Sequence, residues 1–132
     1  MIQRFAAGSV IASMAIAIGA LVLVVMPALP LPRTYPLTII WCFVPLAWGF
    51  WAVIAPSTWV PERLPLWGAI LGLIAGSMAA FVLNMPSRIL AEPVPVAWRG
   101  VGLVLMVVVY YLLWTLVRMI WRSLTPTTNA GK

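Results

Sequence analysis

The chain has 132 residues, 64% hydrophobic and 8% charged, with a mean hydropathy of +1.11. A soluble domain carries about 25% charged residues, so there is too little polar surface here for a water-soluble globule, and the composition specifies an integral membrane protein. The net charge of +6 would suggest a nucleic-acid partner in a soluble protein; here the arginines stand at the ends of apolar runs, where they anchor to headgroups and set orientation, and no nucleic acid is expected.

Crossing the hydrocarbon core takes about 20 apolar residues in a helix, and four runs qualify. The first spans residues 5–26, behind Arg4. It exceeds the roughly 7–15 apolar residues of a signal-peptide core and no small-x-small cleavage site follows, so it reads as a retained span. Gly8, Ala12, Ala15 and Gly19 place small side chains along one face, with Ser9 and Ser13 beside them. The run ends in "PALPLPR", where Pro27, Pro30 and Pro32 are expected to stop the helix.

The second run, residues 36–55, starts at Pro36, a position that tolerates a missing N–H. It carries Trp41, Phe43, Trp48, Phe50 and Trp51. Pro45 lies mid-helix and leaves the carbonyl of Trp41 without its normal donor. With Cys42 and Gly49 on the same face, Trp41 and Pro45 outline a candidate notch for a quinone, carotenoid or lipid tail. A kinked packing helix is the favoured reading, because membrane helices tolerate proline. Cys42 is the only cysteine, so no internal disulfide forms, and it reads as a small buried residue.

The loop "APSTWVPERLPLW" sets Trp59 and Trp67 at interface depth, and Glu62 beside Arg63 reads as a local exposed pair. The third run, residues 66–83, follows Pro65 and repeats a small residue every fourth position: Gly68, Gly72, Gly76, Ala80. In water each glycine costs a helix about 1 kcal/mol relative to alanine. In lipid, leucine gains little by burial between helices, and close backbone approach gains more. The simplest expectation is that this face packs against the small-residue face of the first helix, or that these faces meet a partner.

The loop "NMPSRILAEPVPVAWR" is longer than packing requires. Its Ile89, Leu90, Val94 and Val96 alternate with polar residues and prolines, and it is expected to lie along the membrane surface or against a partner. The fourth run, residues 97–120, carries Tyr110, Tyr111, Trp114 and Trp121. At least one tyrosine hydroxyl is expected to face protein, since lipid offers it no partner. Trp114, Arg118, Trp121 and Arg122 read as an interfacial anchor, with a specific anionic-lipid site as the sharper alternative. Residues 123–132, "SLTPTTNAGK", form a polar tail behind a single transmembrane domain of residues 1–122.

Small-faced and aromatic helices therefore alternate, which specifies an all-α four-helix transmembrane bundle, open to reading as two tandem hairpins. Four crossings put both termini on one side, with Arg4, Arg63, Arg118, Arg122 and Lys132, against Arg33, Arg88 and Arg99 on the other. That bias predicts cytoplasmic termini. For a bacterial chain, spans without strand alternation predict the inner membrane, and a bacterial inner membrane is the expected location.

The spans contain no Asp, Glu, His or Lys. Proton-coupled transport, haem ligation and zinc binding draw on those residues, so neither an enzyme nor a cofactor or metal site is expected. In residues 1–55, Arg4 before a small-residue helix, "LPLPR" at Leu29 to Arg33 and "WGFWA" at Trp48 to Ala52 resemble small proteobacterial iron-uptake accessory membrane proteins. The resemblance implies partnership with a larger inner-membrane reductase of siderophore iron and carries over no functional residue. The expected function is a non-catalytic accessory or assembly subunit of a larger membrane complex, in contact with other subunits and lipid. The alternatives are a small self-associating transporter or holin-like pore, with the glycine face lining or closing a path, and a lipid or isoprenoid carrier using the Pro45 notch.

Overall fold

The computed structural model describes residues 1–25 and 31–124, and side chains outside residues 23–41. Its elements are α1 (Ile2–Val25), α2 (Leu31–Val53), a single 3-10 turn (Ser57–Trp59), α3 (Leu64–Ser77), which continues as one π-helical segment (Met78–Val82), α4 (Met85–Leu90) and α5 (Val96–Leu124). No strand occurs among the described residues. Ile2–Val22, Leu64–Val82 and Val96–Leu124 are each long and apolar enough to cross a bilayer, which makes this a multi-pass membrane protein.

Two helix limits differ from expectation. The second helix begins at Leu31, not Pro36, and Pro32 sits in its first turn instead of breaking the chain. A first-turn N–H has no intrahelical acceptor, so proline loses nothing there. Pro36 and Pro45 then lie inside α2, each at the cost of one backbone bond. The breaks expected at Pro27 and Pro30 lie outside the described residues, as do the side chains of Arg33 and Trp41 and the tail from residue 125. Ser123 and Leu124 are helical, not tail, and Ser123 Oγ donates to Ile120 O at 2.7 Å.

The loop after α3 has structure of its own. The Leu83 N–H donates to Met78 O at 2.8 Å, a widened final turn, and Asn84 then takes a left-handed φ of 49° that reverses the chain. α4 follows, with proline in its first turn. Ala91 ends it at φ 58°, a left-handed conformation that costs a side-chain-bearing residue roughly 1–2 kcal/mol. Val94 N–H donates to Ser87 Oγ at 3.1 Å and Arg99 Nε to Val94 O at 2.9 Å, tying the loop to the start of α5.

α3 lies along α5 and α1 along α2, while α1 also meets α5. The stripe that α1 buries is Ala7, Gly8, Ile11 and Ala12, and the stripe that α3 buries includes Gly68, Gly72 and Gly76, continued by Ala80. These two small faces are not the main partners of one another, which corrects the simplest expectation. A Cβ at Gly8 would stand 2.8 Å from Trp48 O and 3.2 Å from Ala52 Cβ, so α1 docks on the backbone of α2. On the other side, Gly68 accepts the Trp114 ring, Gly72 approaches Tyr110 Cβ (2.7 Å from an added Cβ) and Gly76 approaches Leu103 Cδ1 (2.8 Å). Here the α3 groove is filled by side chains of α5, which gain dispersion contacts along its length.

Trp114 consequently forms the centre of the core, with no solvent exposure, next to Val117 at 1% and Trp48 at 3%. The Trp48 ring is 5.6 Å from that of Trp114 and 5.0 Å from Tyr110, so three aromatic rings join α2 to α5. Gly68→Ala is expected to lower resistance to unfolding in mixed micelles by about 1–3 kcal/mol, the usual cost of overpacking. Gly100→Ala, where nothing lies within 4 Å, is expected to leave it unchanged or raise it. Equal effects at the two positions would contradict this packing.

Candidate functional site

Polar groups gather at the end of the bundle formed by the start of α1, the α2–α3 connection and the end of α5. Trp51 and Trp67 stack there, with centroids 4.7 Å apart at 17°. Each indole N–H donates to the other residue's carbonyl: Trp51 Nε1 to Trp67 O at 3.0 Å, and Trp67 Nε1 to Trp51 O at 2.8 Å. Trp51 O belongs to the last turn of α2, where carbonyls lack intrahelical donors. The exchange therefore caps one helix while fastening it to the next. Trp59, on the 3-10 turn, meets Trp67 edge-on at 5.9 Å.

Arg4 closes the same end from α1. Its Nη1 donates to Ala55 O at 3.3 Å, and its guanidinium lies 5.5 Å from the centroid of the Trp121 ring, within cation–π range. Arg122 Nη2 donates to Glu62 Oε1 at 2.6 Å, so Glu62 pairs across the bundle and not with its neighbour Arg63. Both side chains are more than half exposed, and such a pair contributes about 0–1 kcal/mol. A cavity of about 10 Å³, bounded by Arg4, Ala7, Ala52, Leu64, Val117 and Trp121, has room for a single water.

The residues expected to form an interfacial anchor divide. Trp114 is in the core and anchors nothing at the interface. Trp121 is half-buried beneath Arg4, Arg122 is exposed and paired, and Arg118 is half-buried with its Nε–H shielded and without an acceptor among the described residues. Tyr110 faces protein, its ring against Trp48, while Tyr111 is exposed. Ala15 and Gly19 are half-buried on α1.

The described part of the Pro45 notch is filled. A Cβ at Gly49 would lie 2.6 Å from the Phe5 ring, so α1 covers that position closely, and Ser9 Oγ donates to Pro45 O at 3.0 Å. Phe5 also meets Phe50 edge-on at 5.6 Å. Cys42 is exposed, contrary to its expected burial, and the Trp41 side chain lies outside the described residues. α1 supplies the ring and hydroxyl that a bound tail would otherwise displace.

No family model, curated protein or solved structure matches the chain. The indole exchange was not legible in the sequence, because it depends on the angle at which α2 meets α3; the one available signal was a pair of tryptophans flanking a proline-rich turn. Trp67→Phe keeps the stack and removes one N–H, and is expected to cost about 1 kcal/mol of unfolding free energy. In a double-mutant cycle with Trp51→Phe, a coupling of about 0.5 kcal/mol or more is expected, because each bond holds the geometry of the other; strict additivity would show that they act independently.

Proposed function

We propose that this protein is a non-catalytic accessory or assembly subunit of a larger complex, its four long helices crossing the bacterial inner membrane with both termini in the cytoplasm. The observation that carries this reading is the solid interior. Trp48, Tyr110 and Trp114 fill the space between the helices, α1 closes Gly49, and the cavity beside Arg4 holds about 10 Å³. What such a bundle offers its surroundings is outer surface. One surface suits a partner helix: Gly100 has nothing within 4 Å, and with Val101, Val104, Leu105 and Val108 it lines a shallow apolar face along α5. Small residues exposed to lipid allow the close backbone approach on which membrane helices associate.

Placement of the arginines supports the orientation. Arg4, Arg63, Arg118 and Arg122 share the end that holds the start of α1 and the end of α5, as positive-inside bias requires for cytoplasmic termini. The fourth crossing rests on α2, whose described apolar stretch is Cys42–Val53. The link to iron uptake rests on the resemblance of residues 1–55 and names a reductase as the candidate partner.

A pore lined by the α3 glycines within one copy is disfavoured, because Trp114 and Tyr110 occupy that groove. A holin-like reading therefore needs a lumen between copies. Purification from native membranes in mild detergent, followed by native mass measurement, separates the readings. The accessory role predicts a stoichiometric larger membrane protein, and Gly100→Leu with Val104→Trp is expected to reduce its recovery about tenfold while the unfolding midpoint of the bundle stays the same. Recovery of self-oligomers alone, together with collapse of membrane potential on induction, would overturn it.

A further inference from the structure

We propose that Arg118, Arg4 and Trp121 form a binding site for the headgroup of an anionic phospholipid at the terminal end of the bundle. Arg118 has its Nε–H shielded from solvent and without an acceptor among the described residues. An unmet guanidinium donor is unfavourable, and a turn of the side chain that opens this edge to an anion would complete it through the planar two-donor recognition of phosphate that arginine does best. Trp121 follows Arg118 by three residues, hence on the same side of α5, and Arg4 lies 5.5 Å from its ring centroid. Arg122, one turn from Arg118, adds a like charge and pairs with Glu62.

Position in the bilayer favours a lipid over a soluble anion. α5 runs from Gly100 to Val117 without a charged residue, and Arg118 is the first charge after that stretch. Its guanidinium therefore stands at the boundary between hydrocarbon and headgroups, where lipid phosphates are concentrated. The end carries four arginines, Arg4, Arg63, Arg118 and Arg122, against the single carboxylate Glu62, so an anion also relieves their mutual repulsion.

The test places the full-length protein in phosphatidylcholine nanodiscs with and without phosphatidylglycerol. Retained lipid is counted by native mass spectrometry, and lipid contacts are mapped by a photoactivatable phosphatidylglycerol. The expected results are retention of phosphatidylglycerol over phosphatidylcholine, cross-links at residues 118–122, and about tenfold weaker retention in Arg118→Gln. Arg63→Gln removes the same charge from an exposed position and is expected to retain the lipid. Equal losses in the two variants would show diffuse attraction and overturn the site, as would displacement of the lipid by millimolar glycerol phosphate, which would identify a soluble anion as the ligand. Cross-links confined to other residues of the native protein would overturn it even if Arg118→Gln failed to fold.

Discussion

Everything in this bundle depends on the near contact of the α3 and α5 backbones, made where Gly68 receives the ring of Trp114. Hydrocarbon surroundings remove the usual advantage of burying leucine, so the interior is held by dispersion, and dispersion falls steeply with a gap of even half an ångström. Three glycines at spacings of four residues cut a groove in α3, and α5 supplies Trp114, Tyr110 and Leu103 to fill it. Trp48 then packs on the exposed sides of Trp114 and Tyr110, which brings α2 and, through Gly8, α1 onto the same pair. Each later contact inherits its geometry from that first one.

Most of the polar interactions between helices are arranged around this apolar centre, at its ends. Indoles at the α2–α3 junction serve twice, as rings that stack and as donors that cap carbonyls at a helix terminus. At the opposite end, Ser87 and Arg99 satisfy the backbone of the loop before α5. Inside the bundle Ser9 donates to the carbonyl of Pro45 and so fastens α1 to α2. A membrane helix cannot leave such groups to water, so side chains that reach a neighbouring carbonyl contribute more here than their number suggests.

Composition and run length made the helical membrane class legible, since neither depends on how the helices meet. The packing glycines of α3 were legible too: the Gly68–Gly72–Gly76 repeat stands out because glycine every fourth position has no other good use in a lipid-facing helix. What could not be read was which face meets which. Pairing of small faces is as consistent with the pattern as small against aromatic, and the choice turns on volumes that appear only when the helices are brought together. Trp114 shows the same limit. Its spacing from Arg118 and Trp121 suggests an interface belt, yet it is three residues before Val117 and shares that residue's inward face. Pro32 misled for a local reason: a proline near a turn either ends one helix or begins the next, and the sequence alone does not say which. Glu62 was assigned to its chain neighbour because an arginine sixty residues away becomes adjacent only through the fold.

A bundle closed in this way supplies shape and surface to its membrane neighbours, and its functional reading rests on the helix pairing being right. Cysteine cross-linking in native membranes tests that pairing most directly. In a Cys42→Ser background, Gly72→Cys with Tyr110→Cys brings two Cβ positions 2.7 Å apart, near the roughly 3.5–4.5 Å of a disulfide, and rapid oxidation within one chain is predicted. Gly8→Cys with Gly72→Cys joins the two small faces and should stay reduced. Faster cross-linking of the second pair than the first would contradict the account at its centre.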